Sequence, residues 1–230
     1  MKLLGLLGGM SWESTQTYYQ LLNRGVAERL GGLHSARCLL YSVDFAEIEA
    51  LQSQGAWQQA TILLAEAAIA LETAGAEGLV ICTNTMHKLA DAIACRITIP
   101  LLHIVDATGQ AIRERQLQTV GLLGTRFTMQ EAFYRQRLEE GYHLQVLTPP
   151  AAEQIEVDRI IYDELCRGRI RENSRRIYRQ TITALVEQGA QGIILGCTEI
   201  GLLVSTQDSP VPVFDTTALH ATMAIDFSLS

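Results

Sequence analysis

The chain has 230 residues, 48% hydrophobic and 19% charged, with a formal net charge of −7. Its length suits one large α/β domain or two small ones, and its acidic balance argues against nucleic acid or an anionic membrane surface as a partner. No stretch approaches the roughly 18 uninterrupted apolar residues of a membrane helix. Five cysteines (Cys38, Cys82, Cys95, Cys166 and Cys197) form an odd set with no C-x-x-C spacing. That pattern fits reduced thiols in the cytoplasm better than disulfides or a zinc site.

The opening segment MKLLGLLGGM has one lysine and a short apolar run, with Glu13 close behind. It reads as a first buried strand and not as a signal peptide. Similar short apolar runs follow in KLLGLLG, RCLLYSV, GLVICT, IPLLHI, TVGLLG, LQVLTP, GIILGC and VPVFD. Runs of this kind, apolar on both faces, predict buried parallel strands. Between them lie helix-like segments such as STQTYYQLLNRGVAERL, WQQATILLAEAAIALETAG, VDATGQAIRERQ and SRRIYRQTITALVEQGA. Ser14 stands where an N-cap belongs, and Gly75 and Gly189 where helices end. Strands alternating with helices imply parallel α/β architecture.

The chain also repeats itself. GLLGGMSWEST at residue 5 is echoed by GLLGTRFTMQE at residue 121, an offset of 116. AEGLVICTN is echoed by AQGIILGCT at an offset of 114. The expected architecture is therefore two pseudo-symmetric parallel-sheet lobes with helices on both faces. Residues 1–104 with 213–230 would form the first lobe and residues 105–212 the second. The default ligand site is the cleft between them, lined by the carboxyl ends of strands.

Two kinds of segment carry chemistry. GLLGGMS and GLLGTRFT follow strands and open helices, where free backbone N–H groups favour an anion. Neither is a dinucleotide fingerprint or a P-loop, so a carboxylate is the economical anion, with Ser11, Thr125 and Thr128 as hydroxyl donors. GLVICTNTMH and GIILGCTEI each end a strand in thiol, hydroxyl and amide or carboxylate groups. A thiol suits proton transfer, since its reference pKa near ~8.5 is tunable. Two acid/base groups on opposite faces of one carbon imply racemisation or epimerisation, which needs no metal and no organic cofactor. A lone cysteine after an apolar run is more often a small buried hydrophobe; the duplicated context singles out Cys197. Cys38, Cys95 and Cys166 read as structural, and His34, His103, His143 and His220 stand alone in the sequence. His87 begins a helix beside the first cluster, where it would orient the cluster or cap the helix. Glu199 is placed to bind a substrate ammonium or orient the thiol.

GLLGGMSWEST, CTNTMH, GLLGTRFT and GCTEIGLL together resemble the cofactor-independent aspartate/glutamate racemase family, in the family's order and over essentially the whole chain. The wording is most similar to its aspartate/glutamate-specific members. The resemblance implies two α/β lobes around a small dicarboxylic amino acid, one acid/base residue from each lobe on opposite faces of Cα, no cofactor, and commonly a homodimer. It places the second cysteine of the pair at Cys197, with Thr198 and Glu199 lining the substrate. The family's first motif, C-N-T-x-H, is filled here by T-N-T-M-H. Thr83 takes the cysteine's place, and Asn84, Thr85 and His87 match. The repeat agrees, since an offset of 114 carries Thr83 to Cys197. Cys82 falls one residue earlier, and strand alternation turns its side chain the other way.

The resemblance sets the second-lobe cysteine against the α-proton of the L-isomer, and a hydroxyl is a far weaker acid than a thiol. The expected enzyme therefore favours the L-isomer, with deprotonation by Cys197 and slow return of a proton at Thr83. Gln52 stands where aspartate-selective members place a basic residue, and Met10 beside the first glycine turn would touch the substrate. Two other readings fit parts of this pattern. One is an amino-acid-binding or sensing protein descended from a racemase; the other is a single-cysteine decarboxylase or isomerase of the same fold.

Overall fold

The computed structural model describes residues 1–230, which divide into two compact units. Residues 1–104 with 220–230 make the first, and residues 105–219 the second. The first contains β1 (Leu4–Gly8), α1 (Trp12–Leu30), β2 (Cys38–Ser42), α2 (Phe45–Ser53), α3 (Trp57–Thr73), β3 (Gly78–Ile81), α4 (Ala90–Ala94) and β4 (Leu101–Leu102). A 3-10 turn at Thr85–Leu89 links β3 to α4, and α5 (Ile104–Glu114), which follows β4, opens the second unit. The second unit adds β5 (Thr119–Gly124), α6 (Arg126–Gln130), α7 (Ala132–Tyr142), β6 (Gln145–Leu147), α8 (Ala151–Asp163), α9 (Glu172–Glu187), β7 (Ile193–Gly196), α10 (Ile200–Leu203) and β8 (Val213–Asp215). The last element is α11 (Thr216–Leu229).

All eight expected strands form, in two parallel four-stranded sheets of order β2-β1-β3-β4 and β6-β5-β7-β8. The sequence repeat is a structural repeat. Leu7 pairs with Ile81 in the first sheet, and Leu123 pairs with Leu195 in the second. These are equivalent positions at the two sequence offsets.

Helices cover both faces of the first sheet because β1 and β3 are apolar on both sides. Leu7, Leu79 and Ile81 enter a core with α2, α3 and α4, including Ile48, Leu64 and Ile93. Leu4, Leu6, Val80 and Cys82 enter the opposite core with Tyr18, Leu22 and Val26 of α1 and Ala221, Ala224 and Ile225 of α11. The second sheet buries Leu123, Ile193 and Leu195 against α8 and α9 through Val157, Ile160, Tyr178 and Ile182.

The return to the first unit begins at His220 and not at residue 213. β8 extends the β7 ladder by pairing Val213 with Ile193 and Asp215 with Leu195, whereas α11 covers the first sheet. One contiguous segment thus completes one sheet and shields the other.

Local rules set the ends of the helices. Gly75 and Gly189 take φ of +99° and +106° just past α3 and α9, as their sequence positions suggest. Ser14 does not cap α1; Ser11 does, accepting the Ser14 N–H at 3.2 Å. Ser14 lies inside the first turn and donates its hydroxyl to the Cys82 carbonyl at 2.7 Å. No helix is long and apolar enough to cross a membrane.

Candidate active site

In the first unit the chemistry gathers at the carboxyl ends of the central strands β1 and β3. β1 runs into Gly9, whose φ is +90°, and a Cβ there would lie 2.2 Å from the Val43 carbonyl oxygen. Only glycine fits so close an approach. A cis peptide joins Met10 to Ser11. Thr15 Oγ1 closes the turn from inside α1, accepting from the Gly9 N–H at 2.8 Å and donating to the Ser11 carbonyl at 2.9 Å. Met10 and Ser11 are buried beside this turn, and Gln52 is buried on α2.

β3 supplies the second cluster. Its alternation continues past the last ladder residue. Cys82 follows Val80 into the α1/α11 core and is fully buried. Burial pushes the Cys82 thiol well above the ordinary thiol range, which keeps it protonated and inert. Thr83, half-buried, takes the next position, with its N–H bonded to the Ile81 carbonyl at 2.9 Å. Its own carbonyl lies 2.7 Å from His87 Nδ1. Asn84 and Thr85 are buried just beyond it.

The second unit repeats the arrangement at the ends of β5 and β7. Thr125 caps α6 by accepting the Thr128 N–H at 3.3 Å, the counterpart of the Ser11 cap. Thr128 is fully buried, with its Oγ1 3.2 Å from Thr125 Oγ1. A Cβ at Gly124 would lie 3.0 Å from Thr128, and one at Gly196 3.1 Å. Thr128 is thus placed to hold the turn and the Thr125 hydroxyl.

Cys197 follows Gly196 and shares its core with Ile193 and Leu195, the same parity that Thr83 has with Leu79 and Ile81. Its Sγ donates to Glu199 Oε2 at 2.9 Å, and Thr198 Oγ1 donates to the same oxygen at 2.6 Å. Burial first, and then the Glu199 charge, push the Cys197 thiol well above the ordinary range. A thiol and a carboxylate in such contact disfavour two adjacent negative charges, which keeps the Cys197 thiol protonated.

Each site residue singled out by sequence therefore stands at a strand end or in its adjoining turn, except Gln52 on α2 and Thr128 in the first turn of α6. Met10, Ser11, Gln52, Thr83, Asn84 and Thr85 belong to the first unit, and Thr125, Thr128, Cys197, Thr198 and Glu199 to the second. His103 and His220, solitary in the sequence, are not solitary in the fold. Their rings lie 4.6 Å and 5.5 Å from the His87 ring, centroid to centroid. No group of three or more His, Cys, Asp or Glu side chains is arranged to hold a metal ion.

A family model described as Asp/Glu/Hydantoin racemase matches residues 7–224. The crystal structure of a candidate Asp/Glu racemase from Yersinia pestis is 57% identical, covers 100% of both chains and superposes with a TM-score of 0.94. An aspartate racemase homologue from Pyrococcus horikoshii OT3 is 34% identical, also covers 100% of both chains, and gives a TM-score of 0.87. A broad specificity amino-acid racemase of Bacillus subtilis strain 168 is 26% identical over 165 residues, 72% of this chain and 70% of that relative.

Proposed function

The chain belongs to the Asp/Glu/Hydantoin racemase family and is an amino-acid racemase, an isomerase; from that premise we propose that it acts on aspartate and glutamate through Cys197 and Thr83 and favours the L-isomer. The observation that carries this reading is the unequal pair at equivalent strand ends. Cys197 has a carboxylate in hydrogen-bond contact, whereas its counterpart in the repeat is a hydroxyl.

The steps follow from the chemistry of the two groups. Glu199 takes the Cys197 thiol proton, and the resulting thiolate removes the α-proton of the L-substrate. The carbanion is left at Cα, conjugated with the α-carboxyl group. Thr83, on the other face, passes a proton to Cα while its oxygen accepts one from water. The hydroxide so left is neutralised through solvent by the proton that Glu199 holds, which restores the site. A threonine alkoxide is never formed, because the hydroxyl is too weak an acid to persist as its anion near pH 7. Run in reverse, this relay must remove a proton from the D-isomer without a competent base, and the D-isomer therefore reacts poorly.

The substrate carboxylates would be held by Ser11 and Thr125 at the two helix starts, with Asn84, Thr85 and Thr198 beside them. Gln52 offers amide hydrogen bonds to the side-chain carboxylate where a basic residue would offer charge.

Incubating each enantiomer of aspartate and glutamate in D2O tests the proposal. α-Deuteration of the L-isomers, abolished in Cys197→Ala, is expected. Rapid exchange of the D-isomers with none of the L-isomers would overturn it. Saturable binding without any exchange would also do so.

A further inference from the structure

We infer that His87 is a positioning residue for Thr83, fixing the backbone of the weaker proton carrier through a buried histidine network. The inference deepens the proposed function and rests on it.

The internal repeat supplies the contrast. The offset that carries Thr83 to Cys197 carries His87 to Gly201. In the second unit the Cys197 carbonyl accepts a backbone N–H, that of Ile200 at 3.1 Å. In the first unit the equivalent carbonyl, that of Thr83, meets a side chain, His87 Nδ1 at 2.7 Å. The half with the competent thiol thus has a glycine where the half with the hydroxyl has a ring.

The partners fix the protonation of that ring. A carbonyl oxygen can only accept, so Nδ1 carries a proton and donates to Thr83. The Ile104 N–H can only donate, so Nε2, at 3.2 Å, accepts. His87 is therefore a neutral imidazole in one tautomer, assigned from its bonding partners.

The network continues behind it. His220 Nε2 lies 2.7 Å from the Leu102 carbonyl and so donates to it, while its Nδ1 accepts the Tyr18 hydroxyl at 2.8 Å. The His103 ring packs on His87 at 4.6 Å, and all three rings are buried. The Thr83 carbonyl is thereby tied through His87 to the chain leaving β4 at Ile104, which His220 braces at Leu102.

Such bracing matters more for a hydroxyl than for a thiol. A relay through threonine needs its O–H aimed at Cα and its oxygen facing a donor in the same instant. Misplacement of about 1 Å in such a geometry costs on the order of 100-fold. Both backbone hydrogen bonds of Thr83, to Ile81 and from His87, hold the residue that carries that hydroxyl.

The test separates the two proton carriers in one reaction. L-Aspartate in D2O reports Cys197 through loss of the α-proton and Thr83 through appearance of the D-isomer, followed by NMR and chiral chromatography. Three chains are compared: the parent, His87→Leu and His87→Asn. The asparagine amide stands near Nδ1 and keeps a donor for the Thr83 carbonyl. Rates are taken per mole of folded protein, well below the melting temperature of each chain.

In His87→Leu, D-isomer formation should fall by about 30-fold while L-exchange stays within about threefold. His87→Asn should recover most of that loss, and its retained donor makes it the variant that decides if His87→Leu does not fold. In a Thr83→Ala background, His87→Asn should change D-isomer formation no further. Parallel loss of both rates, no loss of either, or no rescue by asparagine in folded protein would each overturn the inference. A parent that never exchanges the L-isomer would instead overturn the proposed function on which it rests.

Discussion

Glu199 Oε2 accepts the Cys197 thiol at 2.9 Å from a position only two residues along the chain. The contact exists because β7 ends at Gly196 and the backbone turns before α10, folding the carboxylate back over the thiol. It joins two effects that oppose each other. In the proposed reaction the carboxylate would receive the thiol proton, while its charge disfavours the thiolate and keeps Cys197 protonated at rest.

Substituting Glu199→Gln separates those effects. The amide keeps the shape and removes both the proton acceptor and the charge. α-Deuteration of L-aspartate should fall by about 100-fold, the scale of a lost acid/base partner. Alkylation of Cys197 by iodoacetamide should move the opposite way, its pH midpoint shifting down as the neighbouring charge disappears. Activity and alkylation changing in the same direction would exclude this division of roles.

Cys82 invites the opposite test. It is fully buried with Val80, Tyr18 and Ala221, and its thiol lies far from the ordinary titration range. Cys82→Ala removes one buried atom, which should cost about 1 kcal/mol and lower Tm by ~2–4 °C. Exchange and racemisation rates should stay within about twofold. A loss of activity without a loss of stability would reassign Cys82 to the chemistry.

The sequence displays those features that obey a local period and hides those that depend on distant packing. Eight strands were legible because β1, β3, β5 and β7 are continuous apolar runs, and even short β6 and β8 lie in such runs. The parity that separates Cys82 from Thr83 was legible because strand side chains alternate. The cap at Ser11 was not, since Ser11 and Ser14 both suit a helix start and the glycine turn decides between them. The start of the chain's return at His220 was hidden because β8 joins one sheet while α11, contiguous with it, covers the other. The histidine network left no trace at all: His87, His103 and His220 meet only after α11 lies over the first sheet.

Asp215 gives the stability of the second unit a pH dependence. It closes β8 and accepts the N–H groups of Thr217 at 2.9 Å and Ala218 at 3.1 Å. Burial raises its carboxyl above the usual range, and those two bonds only partly oppose the rise. A carboxyl raised on folding stabilises most below its unfolded pKa of about 3.9, and that contribution is lost as pH climbs through the folded value. Asp215→Asn keeps an acceptor for the helix start and removes the buried charge. Thermal melts from pH 4 to 8 should show the parent losing stability with rising pH relative to Asp215→Asn. At neutral pH the variant should melt higher; a variant that melts lower there would mean the ionised cap outweighs burial.

The unequal pair at the strand ends can be made equal. Thr83 and Cys197 occupy equivalent positions of the repeat, with the same parity relative to their strands. Thr83→Cys exchanges a hydroxyl for a thiol and removes the γ-methyl at a half-buried site, so the fold should tolerate it. The new thiol still lacks the Glu199 counterpart, because the equivalent of Glu199 in the repeat is Thr85. It nonetheless titrates near ~8.5 when unperturbed, which supplies a usable base where the hydroxyl supplies none. α-Deuteration of D-aspartate should therefore rise by about 100-fold or more over the parent, while exchange of the L-isomer, which depends on Cys197, should change by less than about fivefold. Conversion in both directions, read by chiral chromatography from either enantiomer, should then approach a common racemic end point. If Thr83→Cys leaves D-exchange at the parent level in folded protein, Thr83 does not hold the proton-carrying position. Adding Cys197→Ala to Thr83→Cys should reverse the preference, leaving the D-isomer as the only one whose α-proton is removed.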